Sequence, residues 1–139
     1  EINYLDESSF FRSNFFPRFI NDTTENAYYN FFVKEDIKID YLHIDADHSY
    51  EGVKKDFELY SKILSPNGII SIHDTDKKFT ENYIVSQDIK EQNKYDDFGN
   101  GPSKFIEEIG DEWQRFDFFN EGILKTKPSS TGLTLLRHA

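Results

Sequence analysis

One segment, from Ile37 to Asp76, constrains the fold of this chain more than any other. It predicts a strand that ends at Asp45, a helix that Ser49 can cap, and a second strand from Ile69 to Ile72. The helix carries charged residues largely on one side and an apolar set on the other, namely Val53, Phe57, Tyr60 and Leu64. A strand, a helix and a strand in this order form a crossover, so the two strands are predicted to be parallel neighbours.

Carboxylates and imidazoles follow both of these strands. Asp45-Ala46-Asp47-His48 closes the first strand, and His73-Asp74-Thr75-Asp76 closes the second. Open α/β sheets bind ligands beyond the carboxyl ends of their strands. We therefore expect Asp45, His48, His73 and Asp74 to meet at one edge of the sheet.

Such a cluster supports several kinds of chemistry. Neighbouring carboxylates disfavour joint ionisation, so the group tends to hold a proton or a divalent cation. A carboxylate or imidazole there could take a proton from a substrate hydroxyl, and a Mg²⁺-type ion could lower the pKa of that hydroxyl.

Structural roles compete with these chemical ones. Asp47 or Ser49 could cap the helix that follows, and His48 could cap it or pack on the surface. His43, inside the first strand, is expected to have a satisfied role in the core, and His138 is expected to be a surface residue.

The remaining elements are shorter. Before the central segment, Ile2 to Leu5 and Arg18 to Ile20 are predicted strands, and Glu25 to Val33 is a predicted helix capped by a threonine. The other predicted features are an aromatic patch from Phe10 to Phe16, a turn from Ser65 to Gly68, a loop from Lys77 to Gly101 with a helix near Glu81 to Glu91, a helix from Ser103 to Ile109, and two strands, Trp113 to Phe119 and Thr131 to Arg137, that could form an antiparallel hairpin.

Composition argues against several classes of function. The 16 Lys and Arg residues against 26 Asp and Glu residues give a net charge of -10, the wrong sign for binding nucleic acid or an anionic membrane. No Cys is present, which rules out disulfides and thiolate chemistry. No signal-peptide pattern and no membrane-length apolar run is found, so we expect a cytoplasmic protein.

The run from Ile39 to Val53, with Asp56, the stretch from Leu64 to Gly68 and the motif from Ile72 to Thr75, resembles the class I S-adenosylmethionine-dependent methyltransferases of type 24. That family typically has a strand ending in Ile-Asp-Gly-Asp-His-Ser/Thr-Tyr-Glu, a helix, a Pro-Gly-Gly-like turn and a strand ending in His-Asp. The resemblance implies a Rossmann-like α/β sheet, mostly parallel, with a closing antiparallel hairpin.

The resemblance also implies an activity. The cofactor would be S-adenosylmethionine, with Mg²⁺ as a further candidate, and the acceptor would be a hydroxyl oxygen of a small molecule or sugar; a homo-oligomer is compatible with this. The cofactor-binding candidates are Asp6, Asp22, Thr23 and Asp45, the catalytic candidates are Asp45, His48, His73 and Asp74, and the metal-ligand candidates are Asp45 and Asp74.

This chain departs from the family pattern in several places. Ala46 replaces a Gly, Asn67 replaces the first turn Gly, and His73 stands where a metal-dependent relative has a carboxylate. The Gly-rich cofactor loop has no counterpart among the 7 glycines. We therefore expect residues 1–139 to be a single, N-terminally truncated domain that holds the third to seventh strands, and the second if Asp6 ends it. Such a chain should bind the cofactor weakly by itself.

Three other readings stay open. Asp45-Ala46-Asp47 resembles the Asp-x-Asp motif of metal-dependent glycosyltransferases. The run from His43 to His48 is one residue from the His-x-His-x-Asp-His motif of metallo-β-lactamase-like hydrolases, although no suitably spaced later His is evident. A non-catalytic binding module of methyltransferase type is the third.

Overall fold

A four-stranded mixed sheet organises the part of the chain that the computed structural model describes, which is residues 18–77, 100–119 and 132–139. The strands are β1 (Ile39–Ile44), β2 (Leu64–His73), β3 (Trp113–Phe118) and β4 (Leu133–His138), and they lie in the order β1-β2-β4-β3. β1 and β2 are parallel, whereas β4 is antiparallel to both β2 and β3. The predicted fold class, with its closing antiparallel strands, is confirmed.

The helix α2 (Tyr50–Tyr60) connects the two parallel strands, as predicted. The Ser49 hydroxyl accepts a hydrogen bond from the amide nitrogen of Gly52 and so caps the first turn. Val53 and Phe57 are buried against the sheet, together with residues of the later elements. The amphipathic pattern therefore places α2 on one face of the sheet and fixes where β1 ends and β2 begins.

The predicted turn from Ser65 to Gly68 is wrong in one respect, because β2 already begins at Leu64. A short 3-10 helix, Ser61–Ile63, ends the helical segment instead. The register of β1 against β2 shifts between Ile39 and Tyr41, which accommodates the irregular start of the strand. A Cβ atom at Gly68 would lie 2.9 Å from the carbonyl oxygen of Ile39, so glycine permits this close pairing.

The helix predicted from Glu25 to Val33 is present in two parts. The helix α1 (Thr24–Ala27) is capped by the Thr23 hydroxyl, which accepts from the amide of Asn26, and a π-helical segment continues it over Tyr28–Val33. The predicted strand from Arg18 to Ile20 is wrong, since these residues are exposed and extend no sheet. A short apolar run needs a neighbouring strand to become part of a sheet, and sequence periodicity does not supply one.

The helix α3 (Gly101–Ile106) packs beside α2 and completes the main core. It begins two residues before the predicted start and ends earlier than predicted, while Ile109 still packs against the core as the pattern indicated. The core consists of Ile44, Val53, Phe57, Ile70, Ile72, Phe105, Ile106, Trp113 and Leu136. A second cluster joins the first helical segment to α2 through Tyr28, Leu59, Tyr60 and Ile63.

Some predictions lie outside the described residues: the strand at Ile2 to Leu5, the patch at Phe10 to Phe16, the helix near Glu81 to Glu91, and the connection between β3 and β4. Within the described ranges, no helix is long and apolar enough to span a bilayer.

Candidate active site

The carboxyl ends of β1 and β2 lie side by side, because Ile44 pairs with Ile72 in a parallel register. Asp45 follows β1 directly, and Asp74 follows β2 directly. Ile44 and Ile72 are both buried in the core beneath these residues, so the two following loops start from a rigid part of the sheet. The sheet topology thus brings together two segments that are distant in sequence.

All four predicted catalytic residues meet in this place. The Nε2 atom of His48 lies 3.0 Å from Oδ2 of Asp74 and 3.4 Å from Oδ1 of Asp45. The Nδ1 atom of His73 lies 3.1 Å from the same Asp45 oxygen and 3.2 Å from Oδ1 of Asp74. We call Asp45, His48, His73 and Asp74 the Asp–His cluster. Each imidazole lies between two carboxylates, which can accept hydrogen bonds from the ring nitrogen that faces them.

Asp74 has an unusual backbone conformation at the centre of this cluster. Its φ angle is +57°, in the left-handed region that few non-glycine residues adopt. The next residue, Thr75, is buried and accepts a hydrogen bond of 3.0 Å from the Thr134 hydroxyl on β4. Gly132 (φ +90°) approaches this loop so closely that a Cβ atom there would overlap the backbone of Asp76. Gly132 and Thr134, at the start of β4, therefore pack against the residues that follow Asp74 and stabilise its turn.

His43 was predicted to have a core role, and this prediction is wrong. Its side chain is 44% exposed on the face of the sheet opposite to α2, and its Nε2 atom lies 3.8 Å from Oδ2 of Asp45. Its Nδ1 atom makes a 2.7 Å hydrogen bond with the Ser71 hydroxyl. The period of two in a strand places His43 and Asp45 on the same side, and this spacing was the signal that could have linked them.

Asp47 has the structural role that competed with chemistry in the sequence. Its carboxylate accepts a hydrogen bond of 2.9 Å from the Ser49 amide. A Cβ atom at Gly52 would lie only 2.6 Å from Cβ of Asp47, so the aspartate is packed over the first turn of α2. Asp47 is also not part of the group of described residues, Asp45, His48 and Asp74, whose side chains could hold a metal ion together.

The predicted cofactor residues Asp22 and Thr23 lie at the start of α1 and are exposed. Asp22 accepts hydrogen bonds of 2.8 Å from the Thr23 amide and 2.9 Å from the Asn26 side chain. Among the described residues, no hydrogen bond or ion pair joins either of them to the Asp–His cluster. Asp6 lies outside the described ranges.

Three members of the Asp–His cluster have a suitable arrangement for a metal ion. Asp45, His48 and Asp74 each offer one ligand atom, and these atoms all lie within 4.8 Å of one another. The Oδ1 atom of Asp74 is buried and forms no hydrogen bond with the described residues, although Nδ1 of His73 lies 3.2 Å away. Two carboxylates and an imidazole suit Mn²⁺, Fe²⁺ or Zn²⁺ better than Mg²⁺, which prefers oxygen ligands alone.

Comparison with known proteins identifies the family of this chain. Residues 4–75 match the model of the type 24 family, described as a methyltransferase domain, and the match covers just over half of the chain. The chain belongs to this methyltransferase family. The predicted resemblance is confirmed, and the matched region includes Asp45, His48, His73 and Asp74.

Two further proteins resemble this methyltransferase domain. A candidate caffeoyl-CoA O-methyltransferase from Staphylococcus aureus superposes with a TM-score of 0.59 over 86% of this chain and 50% of its own, at 15% sequence identity, which supports the fold. The uncharacterised protein y4gI of Sinorhizobium fredii (strain NBRC 101917 / NGR234) is 45% identical over 42 residues, which are 30% of this chain and 5% of that protein. The domain thus spans a small part of y4gI and half of the solved structure.

Proposed function

We propose that the protein containing this domain transfers a methyl group from S-adenosylmethionine to a hydroxyl oxygen of a small molecule or sugar. Membership of the methyltransferase family supports methyl transfer. The observation that supports an oxygen acceptor is the Asp–His cluster at the ends of β1 and β2, where the Asp45 side chain is 40% exposed and lies beside the imidazoles of His43 and His73. Carboxylates and imidazoles are the side chains suited to removing a hydroxyl proton.

Asp45 is the proposed general base. The acceptor oxygen forms a bond with the methyl carbon as the bond between that carbon and sulfur breaks, and the hydroxyl proton passes to Asp45. His48 and His73 donate to Oδ1 of Asp45 and hold the carboxylate, whose other oxygen, Oδ2, lies 3.8 Å from Nε2 of His43. Asp74 holds His48 in turn through the 3.0 Å contact and is thus a positioning residue.

The negative charge of the Asp–His cluster is suited to a positively charged cofactor. The sulfonium group of S-adenosylmethionine carries a positive charge, and the two carboxylates of the Asp–His cluster favour a cation nearby. Asp22 and Thr23 are proposed to lie by the adenine of the cofactor, as the family resemblance implies, and Asp6 is proposed to contact the ribose. When bound, the cofactor supplies the electrophilic methyl group.

A divalent metal is a further proposal for the Asp–His cluster. Asp45, His48 and Asp74 would hold it, and a bound ion would lower the pKa of the acceptor hydroxyl. Because one of the three ligands is an imidazole, we propose Mn²⁺ or Zn²⁺ before Mg²⁺.

Binding measurements on the full-length protein test the proposal against its rivals. Isothermal titration calorimetry with S-adenosylmethionine and with S-adenosylhomocysteine should give binding with one site per chain. UDP-glucose, titrated with the same Mn²⁺ concentration in cell and syringe so that metal binding adds no heat, should give none. Binding of UDP-glucose alone would favour a glycosyltransferase, and silence from all three ligands would favour a non-catalytic module; either result overturns the proposal.

A further inference from the structure

A small hydrogen-bond network lies beside Asp45 and centres on the Ser71 hydroxyl. Ser71 on β2 pairs directly with His43 on β1. Its oxygen lies 2.7 Å from Nδ1 of His43 and 2.7 Å from the Tyr41 hydroxyl. The carbonyl oxygen of Leu42 lies 3.3 Å from the same atom. The proposed methyl-transfer chemistry has so far given no role to Ser71, Tyr41 or His43.

The order Ser71, His43, Asp45 is similar to the triad of a serine hydrolase, but burial excludes that chemistry. Ser71 is 0% exposed, so its oxygen cannot reach a substrate carbonyl group. His43 and Asp45, by contrast, are both exposed. The Ser71 hydroxyl can therefore act only on its neighbours in the sheet, and His43 is the neighbour that lies next to the proposed base.

The hydrogen-bond capacity of Ser71 determines which nitrogen of His43 carries the proton. A serine hydroxyl has one proton to donate and two lone pairs that accept. The Leu42 carbonyl can only accept, so the Ser71 proton must point at it if all three contacts are hydrogen bonds. Tyr41 and Nδ1 of His43 then both donate to Ser71. Because buried hydroxyls are normally fully hydrogen-bonded, we expect neutral His43 to carry its proton on Nδ1 and a lone pair on Nε2.

The distance between His43 and Asp45 agrees with this ring form. Nε2 of His43 lies 3.8 Å from Oδ2 of Asp45, whereas a charge-assisted N–H···O bond measures about 2.7–2.9 Å. His48 and His73 lie closer to the other carboxylate oxygen, at 3.4 Å and 3.1 Å. Oδ1 thus accepts from two imidazoles, while Oδ2 and Nε2 of His43 face each other as two acceptors.

We propose that Nε2 of His43 is a second acceptor for the substrate hydroxyl. A hydroxyl oxygen about 2.8 Å from each atom fits between two acceptors that are 3.8 Å apart, so Nε2 and Oδ2 share its proton before Asp45 takes it. Ser71 is a positioning residue, because it keeps the Nε2 lone pair available without touching the substrate. This inference rests on the proposed methyl transfer, and it adds His43 to the residues that contact the acceptor.

The protonated nitrogen of His43 can be measured directly by nuclear magnetic resonance. In full-length protein labelled with ¹⁵N in histidine, at about pH 8.5 where an ordinary imidazole is neutral, the His43 proton should be on Nδ1. Ser71→Ala removes the acceptor of that proton, so the ring should change to the Nε2–H form and donate to Asp45. Tyr41→Phe is the control, because it leaves the contact between Ser71 and His43 in place. An Nε2–H ring or an imidazolium in the parent protein would overturn the assignment, and so would an unchanged ring in Ser71→Ala.

A double-mutant cycle tests whether Ser71 acts through His43. With the best acceptor among several methyl pyranosides and catechol, His43→Phe should lower kcat/KM about tenfold, because it removes one hydrogen bond to the substrate. Ser71→Ala should cause a similar loss, and the double variant should be no worse than His43→Phe alone. If the two losses multiplied to about 100-fold, Ser71 would have a structural role only and the proposal would be overturned. Unchanged kcat/KM in His43→Phe would overturn it as well.

The parent protein separates this role of His43 from the proposed function. If the parent transfers methyl groups and His43→Phe does so equally well, only the role of His43 is wrong. If the parent neither binds S-adenosylmethionine nor transfers a methyl group, the proposed function is wrong, and the role of His43 falls with it.

Discussion

The Nε2 atom of His48 lies 3.0 Å from Oδ2 of Asp74, although the two residues belong to loops after different strands. The contact depends on the parallel pairing of β1 and β2, which ends both strands at the same level. It also depends on the left-handed turn at Asp74, because an ordinary φ angle there would direct the carboxylate elsewhere. The contact between His48 and Asp74 therefore forms only when the strand pairing and the Asp74 turn are both in place.

Asp74→Asn should lower the rate of methyl transfer without unfolding the domain. Asparagine has the same shape and tolerates the left-handed conformation, but it removes the negative charge that holds His48. We expect kcat to fall about 100-fold, within the range for a disrupted acid–base group, and the urea midpoint to stay the same. A variant with the kcat of the parent protein would remove Asp74 from the mechanism.

Metal affinity should depend on His48. Paramagnetic broadening by Mn²⁺ is expected at Asp45, His48 and Asp74, and His48→Gln should weaken Mn²⁺ binding by at least about tenfold. His138→Gln is the matched control, since His138 stacks on Trp113 at a centroid distance of 4.0 Å and is not in the candidate metal group. Identical Mn²⁺ affinities for both variants would show that the Asp–His cluster is not a metal site.

Gly101→Ala should displace the loop that carries His48. A Cβ atom at this position would overlap the carbonyl oxygen of His48 and the amide of Tyr50, and neither backbone group can turn away as a side chain can. We expect a loss of about 1–3 kcal/mol in the free energy of unfolding, measured with urea. Gly110→Ala is the control, because its Cβ atom would meet only the flexible carboxylate of Glu112. Alanine usually stabilises a helix relative to glycine. If Gly101→Ala raised the free energy of unfolding in this way, the close packing at Gly101 would be contradicted.

Asp56 should make the stability of the domain depend on pH. Burial raises the pKa of this carboxyl above its usual value of 3.8, and nearby Asp47 adds to the rise, while a hydrogen bond with Thr24 and the charge of Lys55 oppose it. The protonated form is therefore favoured in the folded state. Its contribution is fully present below pH 3.8 and is lost as the pH rises through the folded pKa.

Asp56→Asn removes this dependence. The free energy of unfolding of the variant minus that of the parent should therefore be larger at pH 7 than at pH 4, as measured by urea unfolding at both values. Asp40→Asn, at an exposed position on β1, supplies the control and should show no such change. If the free energies of unfolding of Asp56→Asn and the parent differed by the same amount at both pH values, burial would not raise the pKa of the Asp56 carboxyl.

The sequence was sufficient for the central part of the fold and for the Asp–His cluster. Val53 and Phe57 recur at helical spacing and are buried. Ile70 and Ile72 lie on one face of β2 and are buried in the same core. These patterns are strong because both elements bury one side against a common core. Once the strands were predicted to be parallel, the meeting of Asp45 and Asp74 followed from topology alone.

Other features depended on contacts that sequence patterns do not encode. The exposure of His43 depends on which face of the sheet α2 and α3 cover, and the hydrogen bond with Ser71 comes from a neighbouring strand. The stacking of His138 on Trp113 likewise depends on the register of β3 and β4. The left-handed conformation of Asp74 could not be predicted, because no glycine occupies this position. Tertiary contacts of Thr75 and Gly132 maintain it instead.

Transfer of a labelled methyl group is the most direct test of the proposed function. Full-length protein would be incubated with S-adenosylmethionine labelled in its methyl group and with a panel of hydroxyl acceptors, namely several methyl pyranosides and catechol. The labelled product and S-adenosylhomocysteine would be quantified together. We predict equal amounts of both products, and a loss of at least about 100-fold in Asp45→Asn, whose urea midpoint should match that of the parent. Absence of labelled product together with absence of cofactor binding, or undiminished transfer by Asp45→Asn, would contradict methyl transfer at the Asp–His cluster.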